Sequence, residues 1–210
     1  MKNGTRKILL NPGPCTTSES VKDALLAEDI CPREKEFCDL MRSLREDLPK
    51  VVSGEDSYKA VIFASSGTGA VESAVSSLIP NGKKFLVVSN GAYGLRMRQI
   101  AERYKIDVVP YEKAESVPAS PEEIERILEN DSEIAYLGLV DHETTSGLRN
   151  PVLEICDVAR RRNVEVIVDC MSSMGGLKID LREWKAAAIA ASSNKCLQGM
   201  PGLSFVIVRN

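Results

Sequence analysis

From Tyr58 onward, short apolar runs rich in β-branched residues alternate with longer amphipathic segments, and this rhythm leaves few folds open to the chain. AVIFA precedes TGAVESAVSSLI, KFLVVSN precedes YGLRMRQIAERY, and DVVPY precedes PEEIERILEN. IAYLGLV then precedes PVLEICDVARRR, and VEVIVD follows. Strand–helix alternation of this kind implies a mostly parallel α/β sheet with helices on both faces, because parallel strands need helical crossovers. The strand runs are almost continuously apolar, as burial on both faces demands. Two later runs, AAAIAAS and LSFVIV, bring the strand total to seven. Only the loop SNKCLQGMPG joins them, which is short enough to turn the last strand antiparallel.

The first fifty residues read differently and are expected to form an N-terminal segment ahead of a large domain over residues 51–210. A Pro/Gly loop from Leu10 to Thr17 leads into two helical stretches, about Ser18–Ala27 and Glu34–Leu48. The second is expected to end before Pro49, since proline disfavours a helical residue in front of it.

Composition excludes several classes of function. Charged residues make up 27% of the 210, hydrophobic residues 43%, and the net charge is -3, with no basic run to meet nucleic acid. The N-terminus lacks the apolar stretch of a signal peptide, and no segment reaches membrane-spanning length, so a cytoplasmic protein is expected. Six cysteines without a C-x-x-C pair, beside a single histidine, argue for reduced thiols and against a zinc site.

In an open α/β sheet the chemistry collects at the carboxyl ends of the strands. Five segments end apolar runs there: ASSGTGA, SNGAYG, DHETTSG, VDCMSS and SSNKCLQG. Ser66, Gly67 and Thr68 open a helix, where free N–H groups favour a phosphate; a plain capped turn explains them equally well. Asp169 could balance a buried cation or simply cap the next turn. Lys195 lies between two apolar strands, and a lysine in partly apolar surroundings offers its amine to an aldehyde. Tyr93 could stack on a flat ligand or pack on the core. Glu143, Thr144, Thr145 and Ser146 offer polar contacts or form a solvated turn closed by Gly147, and His142 reads as incidental. Together these segments supply a phosphate cradle, an aromatic plate, an acid for a ring nitrogen and a lysine for an aldehyde. Pyridoxal phosphate carries all four complementary features.

The stretches LLNPGPCTTSESVKDALL, SNGAYGLRM, ETTSGLRNP, VDCMSSMGG and SSNKCLQGMPG resemble class V aminotransferases, whose cofactor-binding domains have the pyridoxal-phosphate fold type I. The resemblance implies that Lys195 bonds to the cofactor and later shuttles a proton, while Asp169 pairs with the ring nitrogen. It further implies that Tyr93 stacks on the ring, that Ser66, Gly67, Thr68 and Asn194 hold the phosphate, and that Thr145 meets the phenolic oxygen. The loop Asn11–Thr17 would border the substrate entrance. The implied reaction moves the amino group of 2-aminoethylphosphonate to pyruvate, giving phosphonoacetaldehyde and alanine, in a homodimer. An alanine–glyoxylate or serine–pyruvate exchange would use the same residues.

Two departures from the family pattern stand out. Where the family reads H-S-E-T-T-T-G, this chain has Asp141-His142-Glu143-Thr144-Thr145-Ser146-Gly147. Family members also continue past the position of Asn210 into a small domain that supplies a substrate-gripping arginine. The resemblance therefore leaves a catalytically incomplete cofactor-binding piece as a further expectation, beside a phosphate-binding domain in which Lys195 plays no part.

Overall fold

The computed structural model describes residues 8–210. Its centre is a seven-stranded sheet built from β1 (Tyr58–Phe63), β2 (Lys84–Ser89), β3 (Asp107–Glu112), β4 (Ile134–Val140), β7 (Glu165–Asp169), β8 (Ala188–Ser192) and β9 (Ser204–Arg209). A separate two-stranded ribbon, β5 (His142–Glu143) and β6 (Leu148–Arg149), follows β4. The order across the large sheet is β1-β9-β8-β7-β4-β2-β3. β9 runs antiparallel to both its neighbours and the other pairings are parallel, so the loop after β8 does reverse the last strand.

Alternation along each buried strand divides the core into two layers. Phe85, Val87, Ile167, Ala188, Ala190 and Val206 face α3 (Gly67–Leu78) and α4 (Ala92–Arg103), which contribute Ala70, Val71, Ala74, Val75, Met97 and Ala101. Their strand neighbours Leu86, Val88, Leu137, Leu139, Val168 and Ile189 face the opposite side. There α5 (Pro121–Asn130), α6 (Val152–Arg161) and the short α7 (Leu181–Trp184) bring Ile124, Leu128, Ile155, Leu181 and Trp184. Cys156 and Cys170 are buried in this second layer as free thiols.

The N-terminal helices depart from the sequence expectation at their ends. α1 (Glu19–Asp23) is capped by Ser18 and gives way to a 3-10 turn over Ala24–Leu26. α2 spans Lys35–Lys50 and runs through Pro49 instead of stopping before it. Only one backbone donor is lost so near a helix end. The chain then closes through Val52 N–H and Gly54 N–H on the Pro49 carbonyl, at 3.1 and 2.9 Å, while the proline ring is buried.

The connection from β1 to β2 positions the site. β1 lies at one edge of the sheet and β2 beside the other, so α3 must cross the middle strands, where it packs on β8 and β9. Its first turn therefore stands over the carboxyl ends of β7 and β8.

Candidate active site

A cavity of about 160 Å³ opens at this edge. Gly67 and Thr68 from the start of α3, Tyr93 and Arg96 from α4, Thr144, Asp169 from the end of β7, and Ser192, Asn194 and Lys195 after β8 line it. Segments up to about 130 residues apart in sequence thus meet because consecutive parallel strands all end on the same side of the sheet.

Asp169 is 5% exposed, and its Oδ1 accepts the Met171 N–H at 2.9 Å. Burial pushes its carboxyl up to about 6 from an ordinary 3.8. The Met171 N–H holds it down, the charge of Glu143 adds to the rise, and Arg96 and Lys195 oppose it. A carboxylate in this state gains strongly from a cation placed beside it.

Lys195 sits in a turn fixed by its neighbours. Gln198 N–H donates to the Lys195 carbonyl at 2.8 Å, and Gly199 N–H donates to the Ser193 carbonyl at 2.7 Å. The N-terminal loop closes over it: Cys15 N–H donates to the Asn194 carbonyl at 3.1 Å. Gly13 has a φ of +137°, and a Cβ there would come within 2.4 Å of Lys195 Cδ. Only glycine meets both demands, so the Asn11–Thr17 loop lies against the lysine itself.

Two helices begin at this edge, and they begin differently. α3 has Ser66 at its N-cap but no side-chain capping bond; Gly69 N–H donates to the Ser66 carbonyl at 2.9 Å, which leaves the Gly67 and Thr68 N–H groups for a ligand. At α4, the fully buried Glu143 reaches across from β5 and accepts the N–H groups of Tyr93, at 3.1 and 3.3 Å, and of Gly94, at 3.3 Å. One helix start is thus occupied by a protein carboxylate and the other is open to an anion.

The sequence-derived candidates fall into two groups. Gly67, Thr68, Tyr93, Asp169, Asn194 and Lys195 share the cavity, whereas Ser66 and Thr145 do not line it. Ser66 is exposed at the N-cap, and the Thr145 hydroxyl donates to Glu143 Oε1 at 3.1 Å. Thr144 occupies the cavity wall instead, its hydroxyl bonded to that of Ser172. Asp141 is buried and meets Arg149 at 3.5 Å, and neither it nor His142 reaches the cavity.

Sequence reasoning assigned no role to Arg96. It follows Tyr93 by three residues on α4, and that spacing, which places both on one helix face, was the available signal. Its guanidinium lies 5.1 Å from the Tyr93 ring centroid and 3.5 Å from Thr68 Oγ1.

The family description "Aminotransferase class-V" matches residues 24–210. The chain belongs to the class V aminotransferases. Pyridoxal phosphate is the cofactor that this membership implies. The chain is 39% identical over 208 residues to a 2-aminoethylphosphonate–pyruvate transaminase of Bacillus cereus, and over 203 residues to one of Bacillus anthracis. These alignments take in 99% and 96% of the chain, but 57% and 55% of the relatives, so it spans little more than half their length. Among solved structures, a pyridoxamine–pyruvate aminotransferase from Mesorhizobium loti superimposes with a TM-score of 0.89 at 26% identity, over 98% of this chain and 52% of that one. An alanine–glyoxylate aminotransferase from Nostoc sp. gives 0.90 at 26% identity, over 100% and 55%.

The cavity's own chemistry suits the cofactor. An uncapped helix start can take a phosphate, a cation-seeking carboxylate can take a protonated ring nitrogen, and a lysine and an aromatic ring share the same walls. A Cβ on Gly67 would come within 2.5 Å of Met171 Sδ, so a side chain there would have to displace the flexible methionine that lines the cavity. Among the described residues, no group of three or more His, Cys, Asp or Glu could hold a metal ion. No helix among them is long and apolar enough to cross a membrane.

Proposed function

We propose that this chain is the cofactor-binding part of a transaminase that passes the amino group of 2-aminoethylphosphonate to pyruvate. The observation that carries this reading is the convergence of Lys195, Asp169, Tyr93 and the start of α3 on one cavity. Relatives at 39% identity supply the substrate pair, while the alanine–glyoxylate enzyme of Nostoc stands at 26%. The cofactor unit is residues 51–210, preceded by the N-terminal segment 1–50, and the proposed assembly is a homodimer. Ile8, Leu10, Leu25 and Leu26 are well exposed and would gain cover in such a pair.

Bound pyridoxal phosphate would supply an electron sink for the carbon next to the substrate nitrogen. Lys195 Nζ, held beneath the Gly13 loop, would anchor the group and carry the proton released at that carbon. Asp169 would keep its charge against the ring nitrogen and hold that nitrogen protonated. Tyr93 would flank the ring, Thr144 and Asn194 would bond its polar edge, and Gly67 and Thr68 would take the phosphate through their N–H groups. Thr145 and Ser66 would act from outside the cavity wall, through Glu143 and the N-cap respectively.

Titrating the purified chain with pyridoxal phosphate is expected to give an absorbance band near the visible edge that Lys195→Ala abolishes. A band indifferent to that substitution would sink the assignment. Alanine formed from 2-aminoethylphosphonate and pyruvate then supports the full reaction. A normal band without alanine favours a catalytically incomplete piece.

A further inference from the structure

Glu143 lies outside the cavity yet touches the element that carries two of its walls. Its carboxylate is fully buried and has no lysine or arginine partner among the described residues. Four contacts to three donors hold it: Tyr93 N–H at both oxygens, Gly94 N–H, and the Thr145 hydroxyl. Gly91 makes room for it. A Cβ on that residue would stand 2.1 Å from Glu143 Cγ and 2.5 Å from Oε2, although its φ of 178° is extended backbone that any residue adopts. The glycine at the head of α4 is therefore explained by the acid of β5 and by no backbone requirement of its own.

The ribbon geometry explains how the acid arrives there. In the β5–β6 pair His142 faces Arg149 and Glu143 faces Leu148, and the Gly147 N–H closes the turn on the Glu143 carbonyl at 2.8 Å. Alternation along the strand sends Glu143 inward to α4, and Thr144 falls on the cavity wall.

We propose that Glu143 is a positioning residue for the cofactor: it clamps the first turn of α4 to β5 and so fixes the Tyr93 ring as a wall of the cavity. The inference rests on the cofactor reading above. Charge-assisted bonds to helix-start N–H groups are among the stronger hydrogen bonds, and they act here directly on the backbone of the aromatic residue. The carboxylate also satisfies the positive end of α4, which leaves the start of α3 as the place at this edge where a phosphate gains most.

A double-mutant cycle tests the clamp, with pyridoxal phosphate affinity of the 210-residue chain read by absorbance titration. Tyr93→Ala is expected to weaken binding about fivefold to tenfold, the usual worth of an aromatic stack. Glu143→Ala should do about the same, and the double variant should lose no more than about twofold beyond Tyr93→Ala, because the two residues act as one unit. Losses that multiply overturn the proposal. Glu143→Gln keeps the length and one acceptor oxygen and should bind within about threefold of wild type. Should Glu143→Ala fail to fold, Gly91→Ala replaces it in the same cycle, since its Cβ displaces the carboxylate without backbone strain. Amide exchange at Tyr93 and Gly94 in the cofactor-free chain reads the clamp separately. Exchange should rise on the order of tenfold in the displaced variants and stay low in Glu143→Gln. Unchanged exchange overturns the clamp whether or not cofactor binds, whereas a wild-type chain that gives no band overturns the cofactor reading instead.

Discussion

Asp169 shows what a buried carboxylate does to stability. Its carboxyl stands at about 6 in the fold against an ordinary 3.8, so the folded state binds more protons between those values. Stability from this group is full below about pH 4 and falls as pH rises through 6, by about 3 kcal/mol at about 1.4 kcal/mol per pKa unit. Asp169→Asn should therefore gain on wild type over that window and stay ahead at neutral pH. Denaturant unfolding of the two cofactor-free chains from pH 4 to pH 8 measures it, and a flat difference would contradict the burial argument. The same variant should lose the cofactor band. At this scale the ends of the apolar runs pointed to Asp169, Lys195 and Tyr93, which share one cavity, while the roles expected of them came from the family resemblance. Thr144 was not separable from Thr145, because the side of a two-residue strand is settled by what it pairs with. Glu143, readable as part of a solvated turn, proves fully buried against a helix 50 residues away in sequence.

Helices follow their periodicity, α5 spanning Pro121–Asn130 as the sequence suggests, while the bonds at their ends depend on what packs there. α5 begins with Ser120 at the N-cap, its Oγ accepting the Glu123 N–H at 3.2 Å, and with Pro121 in the first turn. Ser120→Ala should cost about 1 kcal/mol, checked by thermal or denaturant unfolding. An unchanged midpoint would mean that packing of Ile124 and Leu128 alone sets this helix. The Glu123 side chain, three residues after the cap, does not fold back on Ser120. It bonds the Tyr111 hydroxyl and Lys113, at 2.6 Å, while Ser120 N–H turns to the same tyrosine at 3.1 Å. The end of α2 makes the same point. Local propensity favours a stop before Pro49, yet burial of the ring and the closing bonds from Val52 and Gly54 carry the helix past it.

Across the whole molecule, one hydroxyl ties the edge strand to the middle of the sheet. Tyr58, at the head of β1, is buried and donates to the Ala186 carbonyl at 2.9 Å, just ahead of β8, with Leu181 O at 3.4 Å. Burial pushes this phenol up to about 12. Tyr58→Phe should lower stability by about 1–2 kcal/mol, since it removes the donor and leaves a buried carbonyl short of a partner. The wild-type advantage should hold below about pH 10 and fade as pH climbs through 12, because ionisation is easier in the unfolded chain. Unfolding of the two proteins at pH 8 and pH 11 reads both effects.

The seven strands, their crossover helices, and the edge on which chemistry collects could all be read from the order of residues. Periodicity and turn chemistry are local properties, and parallel pairing follows from the helices in between. Strand order could not be read in this way. Nothing within β9 says that it slides between β1 and β8, or that α3 must cross to the far side and lay its first turn beside Lys195. Those placements depend on contacts between residues more than a hundred positions apart, where burial of apolar faces selects one arrangement from many that local preference allows. The contact of Glu143 with the start of α4, 50 positions away in sequence, is non-local too: the acid and the glycine that admits it acquire meaning only once the sheet has brought them together.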